Sequence, residues 1–208
     1  MNVRHPISTL VVQSPNRFKE TVSRFKEVCE FPHYRVNDGV ASVEPKVTLG
    51  GNTCTILGMS NGEESYIGHF APEFLRGDFN QKLDLIIKKF MDKTGELSAI
   101  ITGGYSRFAD GGSAEAVKSF EQSARVAEVL DKYTSDITMI SGKRNPVFTD
   151  CLAVDGDRFI LSHSKKVGVN NSTPHLKQNP TPQEIQAELY KNYEIADFDG
   201  TPSVIFEV

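Results

Sequence analysis

Between residues 39 and 70 the apolar residues come in short runs, none longer than seven residues, broken by turn formers. The runs are Gly39–Val43, Val47–Leu49, Thr53–Met59 and Ser65–Phe70, and the breaks include Gly50-Gly51-Asn52 and Ser60-Asn61-Gly62. A helix needs several turns before it can bury a face, so pieces of this length predict strands. Glycine and asparagine at the breaks accept the backbone angles that tight turns require. Strands joined by turns this short pair antiparallel, because a parallel pair needs a longer crossover.

The rest of the chain supplies helices to cover such a sheet. Ser14-Pro15 reads as a helix start, with a capping hydroxyl and then proline at the first helical position. Phe18, Val22, Phe25 and Cys29 follow at helical spacing, and Pro32 ends the pattern. A second helix is predicted over Asp78 to Lys93, with Leu83, Ile86, Ile87, Phe90 and Met91 as its apolar stripe and Gly95 as its stop. Leu97 to Thr102 reads as a buried strand ending in Gly103-Gly104, and Ser113 to Tyr133 as a third helix. Ile137–Ser141, Val147–Val154 and Arg158–Ser162 read as strands, the last two flanking the hairpin signal Asp155-Gly156. From Lys165 to Pro182 the chain is polar and holds three prolines, as an irregular arm would. Thr181-Pro182-Gln183-Glu184 predicts a short helix to about Tyr193, and Ser203 to Glu207 a last strand. The fold class expected is α+β, a layered sandwich of mainly antiparallel or mixed sheet with packed helices. Three regions are expected: an N-terminal extension over 1–45, a core over 46–165 and a C-terminal arm over 166–208.

Composition narrows the function. The balance of 23 basic against 27 acidic residues lacks the basic surplus of a nucleic-acid binder, and no nucleic-acid partner is expected. No apolar run reaches the roughly 18 residues needed to span a bilayer, so no membrane insertion is expected. The segment from Met1 to Val12 lacks the arrangement of a secretory signal. A cytoplasmic protein is expected, with export as an effector lacking a cleaved signal left open. The 3 cysteines, Cys29, Cys54 and Cys151, form no CxxC pair, which argues against a disulfide framework or a zinc knuckle. No cofactor is expected, since no Walker loop, HExxH or dinucleotide fingerprint is present. The sequence does not fix the oligomeric state.

One stretch carries candidate chemistry. In Thr48-Leu49-Gly50-Gly51-Asn52-Thr53-Cys54 a cysteine follows a glycine-rich segment at the start of an apolar strand, and His69 stands on what reads as the next strand. Glycines let backbone approach a substrate closely, and consecutive N–H groups in such a turn can hold an anion. If the two strands pair, thiol and imidazole come within reach, and the imidazole can promote the thiolate. Spacing alone leaves the plainer reading open, in which Cys54 is a small buried hydrophobe, His69 is structural and Thr48 is a β-branched strand residue.

The stretch from 48 to 69 resembles the chemoreceptor glutamine deamidases of bacterial chemotaxis, the CheD family. Their motif has a threonine, then Leu-Gly, a glycine-rich pair, and a cysteine six residues after the threonine; Thr48 and Cys54 keep that separation. Gly68-His69-Phe70 corresponds to the family's histidine segment. The run Ala99-Ile100-Ile101-Thr102-Gly103-Gly104-Tyr105-Ser106-Arg107-Phe108 resembles the family's strand with Gly-Gly, Ser and Phe. The likeness covers about residues 46 to 165. Asn52-Thr53 stands where the family usually has Gly-Ser, and Ala71-Pro72-Glu73 where it has Leu-Pro. The arrangement is also similar to toxin domains related to cytotoxic necrotizing factor.

The resemblance implies a Cys-His-Thr triad of Cys54, His69 and Thr48 that converts a glutamine side chain of a target protein to glutamate. It implies backbone oxyanion donors at Asn52 and Thr53, and a substrate groove lined by Gly103, Gly104 and Ser106. The target stays open between a chemoreceptor and a host protein. So do a related thiol chemistry on another bond, a non-catalytic binding or adaptor role, and a metal site on Cys54 and His69, for which too few further ligands are visible.

Overall fold

The structure is a computed structural model that describes residues 9–28, 33–34, 38–51, 54–71, 77–91, 96–103, 114–142, 148–165, 193–197 and 204–207. In chain order the described elements are β1 (Thr9–Gln13), α1 (Pro15–Val28), β2 (His33–Tyr34), β3 (Asp38–Ser42), β4 (Lys46–Gly51), β5 (Thr55–Ser60), β6 (Ser65–Phe70), α2 (Phe79–Met91), β7 (Ser98–Gly103), α3 (Ala114–Leu130), β8 (Ile137–Gly142), β9 (Phe148–Asp155), β10 (Arg158–Lys165), β11 (Tyr193–Asp197) and β12 (Val204–Glu207). They build two six-stranded sheets, ordered β12-β1-β10-β9-β4-β2 and β11-β8-β7-β5-β6-β3. Hairpin neighbours such as β5 and β6 are antiparallel, whereas β1 pairs parallel with both β10 and β12, and β7 with β8. The chain is therefore mixed α+β, a layered sandwich.

Strand alternation sorts the apolar side chains into three cores. Along β5, Leu57 and Met59 join Leu83, Ile87 and Phe90 of α2 and Val126 and Leu130 of α3. Ile56, on the other face, joins Ile67, Ile100 and Ile140 of its own sheet and Leu152, Val154 and Leu161 of the other. On the far side of the first sheet, Val11, Val47, Cys151, Ala153 and Ile160 pack with Phe18 and Phe25 of α1. The layers thus run α1, first sheet, second sheet, then α2 with α3. Each fully buried aliphatic side chain contributes about 1.5–3 kcal/mol, so three cores of this kind need no disulfide. Gly58 faces the other sheet, where a Cβ would come to 2.8 Å from Ile100 and 3.1 Å from Leu152; its lack of a side chain sets how closely the sheets approach.

Local signals act as expected at several ends. The N–H of Arg17 donates to Ser14 Oγ at 3.4 Å, capping α1. Asp155 pairs with Arg158 across a tight turn in which Gly156 has φ of +58°. Segments outside 46–165 enter both sheets: β1, β2 and β12 in the first, β3 and β11 in the second. The helix expected from Thr181 to about Tyr193 lies outside the described residues, and Tyr193 itself begins β11. Among the described residues no helix is long and apolar enough to cross a membrane.

Candidate functional site

The site forms where β4 of the first sheet faces β6 of the second. Val47 packs toward α1, so its neighbours Lys46 and Thr48 face the other way, across the gap between the sheets. Ile67 belongs to the core between the sheets, and His69, two residues on, shares its face. There Thr48 Oγ1 and His69 Nδ1 make a hydrogen bond of 2.8 Å between residues 21 apart in sequence. Both side chains are buried, His69 to 1% exposure, and its second ring nitrogen, Nε2, is buried as well. The tautomer decides the donor: with the proton on Nδ1 the ring donates to Thr48, and Nε2 keeps its lone pair.

Cys54 lies one residue ahead of β5. In the β5–β6 ladder Thr55 pairs with Phe70 and Ile56 with His69. Thr55 Oγ1 is hydrogen-bonded to Ser123 Oγ of α3 at 3.0 Å, which places Thr55 on the helix-covered face. Cys54 thus stands just beyond the end of the ladder in which the next-but-one residue, Ile56, pairs with His69. Cys54 is a partly exposed residue outside any disulfide, whereas Cys151 is buried against α1.

Two glycines shape the backbone here. Gly103 ends β7 opposite Thr55, with φ of +84°, and a Cβ on it would overlap the carbonyl oxygen of Cys54. Gly50 has φ of +82° and lies where the β4–β9 register shifts, from Thr48 opposite Leu152 to Gly51 opposite Asp150. The extra residue is a β-bulge, which bends a strand and re-aims the side chains beyond it. Gly50 and Gly51 therefore stand inside β4 and not in the turn their sequence suggests. Asn52, Thr53, Gly104 and Ser106 lie outside the described residues. Tyr66 faces the helix side, where burial pushes its phenol above the ordinary value and its hydroxyl lies over Gly39 and Gly68. It takes no part in the Thr48–His69 pair.

One polar residue near the site carried no sequence signal. Lys46 is fully buried, and its Nζ donates to Ser42 O at 2.8 Å, to Glu44 O at 2.5 Å and to Ser65 Oγ at 2.8 Å. Its position two residues before Thr48, on the same strand parity, is the one cue the sequence holds. Among the described residues no group of three or more His, Cys, Asp or Glu is placed to hold a metal ion.

No family model matches the chain, and no curated protein matches it. A crystal structure of the hypothetical protein YfiH from Bacillus licheniformis is similar over 59% of this chain and 49% of that one, with 8% identity and a TM-score of 0.34. The chain spans about half the length of that protein.

Proposed function

We propose that the chain is a cysteine-dependent protein-glutamine deamidase with Cys54 as nucleophile, His69 as base and acid, and Thr48 as the group that orients the ring. The observation that carries the reading is the 2.8 Å bond between Thr48 and His69, which joins two separate sheets at a buried point beside the strand that begins after Cys54. A buried threonine–histidine pair and a partly exposed cysteine one residue ahead of the strand that pairs with β6 are the parts thiol chemistry requires. The motif from Thr48 to Cys54, and its likeness to the chemoreceptor deamidases, supports the choice of a glutamine carboxamide as substrate.

The proposed steps are ordinary acid–base chemistry. His69 Nε2 takes the Cys54 proton, and the thiolate attacks the carboxamide carbon of a protein glutamine. By the resemblance to the deamidase motif, backbone N–H groups of Cys54, Asn52 and Thr53 are the oxyanion donors, one of which can be worth about 3 kcal/mol. The C–N bond breaks, His69 returns the proton to the nitrogen, and ammonia leaves behind a thioester. Water, deprotonated by His69, attacks that thioester; the C–S bond breaks, His69 returns the proton to sulfur, and glutamate leaves with the Cys54 thiol restored. Thr48 carries no charge, so it holds the ring in one tautomer but stabilises the imidazolium less than a carboxylate would.

A chemoreceptor and a host protein are the two target classes in view. The test is intact-mass measurement of purified candidates after incubation with the wild type and with Cys54→Ser. Deamidation replaces the side-chain NH2 by OH, a gain of about one dalton that the variant must not produce. Candidates from both classes left unchanged, with Cys54 no more reactive than an ordinary cysteine in solution, would favour a binding role in place of catalysis.

A further inference from the structure

We infer that Lys46 is the positioning residue that keeps β4 and β6 in register so that Thr48 reaches His69; its catalytic consequence rests on the deamidase reading. A lysine ammonium is costly to bury and is held inside a protein only where its donors are met. Nζ has three donors, and it donates to the carbonyls of Ser42 and Glu44 and to the hydroxyl of Ser65. Ser42 and Ser65 face each other in the β3–β6 ladder, so one side chain from the first sheet grips two strands of the second. Its strand neighbour on the same face, Thr48, makes the bond to His69.

The geometry explains why such an anchor matters. β4 and β6 belong to different sheets, and no backbone ladder joins them. Apolar packing between the sheets is non-directional and tolerates a small slide. A hydrogen bond of 2.8 Å does not: a displacement of under about 1 Å takes it past bonding distance. Directional bonds at Lys46 resist that slide two residues from the place where it would break the Thr48–His69 bond.

The test reads His69 directly. Long-range proton–nitrogen NMR reports which ring nitrogen carries the proton, and a residue that only adds stability does not move that signal. The wild type is expected to show one tautomer. Lys46→Met, of similar length and without the donors, is expected to give a mixture of tautomers and to slow alkylation of Cys54 at neutral pH on the order of tenfold to a hundredfold. Ser65→Ala removes the acceptor on β6 and is expected to shift both readouts the same way by less. A folded Lys46→Met with the wild-type tautomer and alkylation rate overturns the inference. If Lys46→Met does not fold, Ser65→Ala decides: a changed tautomer ratio supports the role and an unchanged one overturns it. Should the wild-type thiol prove unactivated while both variants disturb the His69 tautomer, Lys46 keeps its positioning role and the deamidase reading fails.

Discussion

A threonine hydroxyl can orient a histidine without neutralising it, and the two variants that separate size from bonding act on that difference. Thr48→Ser keeps the hydroxyl beside His69 Nδ1 and should retain most of the Cys54 reactivity. Thr48→Val keeps the shape but sets a methyl group against a buried ring nitrogen. Leaving a buried polar atom unmet costs about 1–3 kcal/mol, so Thr48→Val should lose that much stability in urea unfolding, together with most of the reactivity. Equal behaviour of the two variants would remove Thr48 from the account. At this scale the sequence is informative where a motif exists and silent where it does not. Thr48, Cys54 and His69 are legible through spacing and resemblance, and the structure joins the first and last by a direct bond. Lys46 is not legible, because a lysine between Pro45 and Val47 reads as surface until the strands of a second sheet supply its acceptors.

The elements around the site make their own predictions. Gly103→Ala should destabilise the fold by about 1–3 kcal/mol and also slow Cys54, because it adds strain at φ of +84° and crowds the Cys54 carbonyl. Loss of stability with unchanged thiol reactivity would show that β7 does not position Cys54. On the far face, α2 is tied to the turn after α3 by Asp84, which accepts a hydrogen bond from the Tyr133 hydroxyl and pairs with Lys88 of its own helix at 2.7 Å. Hydrogen bonding from Lys88 and then Tyr133 holds the Asp84 carboxyl below its ordinary value, and the bond to Asp84 raises Tyr133 above its own. A lowered acid stabilises the folded chain in full above its unfolded value, near pH 3.9, and that contribution is lost as pH falls through the folded value. A raised phenol contributes below about pH 10, and its share is lost as pH rises through the folded value. Asp84→Asn should therefore flatten the acid limb of the stability curve, measured by thermal unfolding between about pH 2 and pH 6. An identical acid limb in the variant would show that the pair contributes nothing. Element existence is largely legible in the sequence, as in β6, whose bounds match the expected run from Ser65 to Phe70. The bulge at Gly50 is not, since a register shift is a property of the partner strand β9 as much as of the glycine.

Over the whole molecule, the two sheets are closed by strands from opposite ends of the sequence. β1 lies between β10 and β12, and Gln13 donates to Glu207 at 2.7 Å across 194 residues of chain. Glu207 also accepts from Arg158 at 3.4 Å, and its backbone carbonyl meets the N–H of Ser14. Removing residues 204–208 would strip one side of β1, and a loss of about 2 kcal/mol would lower Tm by about 4–8 °C in a chain this size. An unchanged Tm would show that β12 is not part of the stable sheet. Thr9-Leu10-Val11-Val12 is too short a pattern to be read as a strand, because its partners lie more than a hundred residues away. The layered α+β class is readable from alternation and helical periodicity, whereas the division of strands between two sheets requires the long-range pairings.

The rate of iodoacetamide labelling at Cys54 as a function of pH measures directly whether His69 activates the thiol, with buried Cys151 as the internal comparison. The expected result is labelling at neutral pH faster than that of an ordinary cysteine in solution, falling to that rate and its pH midpoint in His69→Ala. Labelling of wild-type Cys54 at the ordinary cysteine rate, unaltered by His69→Ala, would contradict the account.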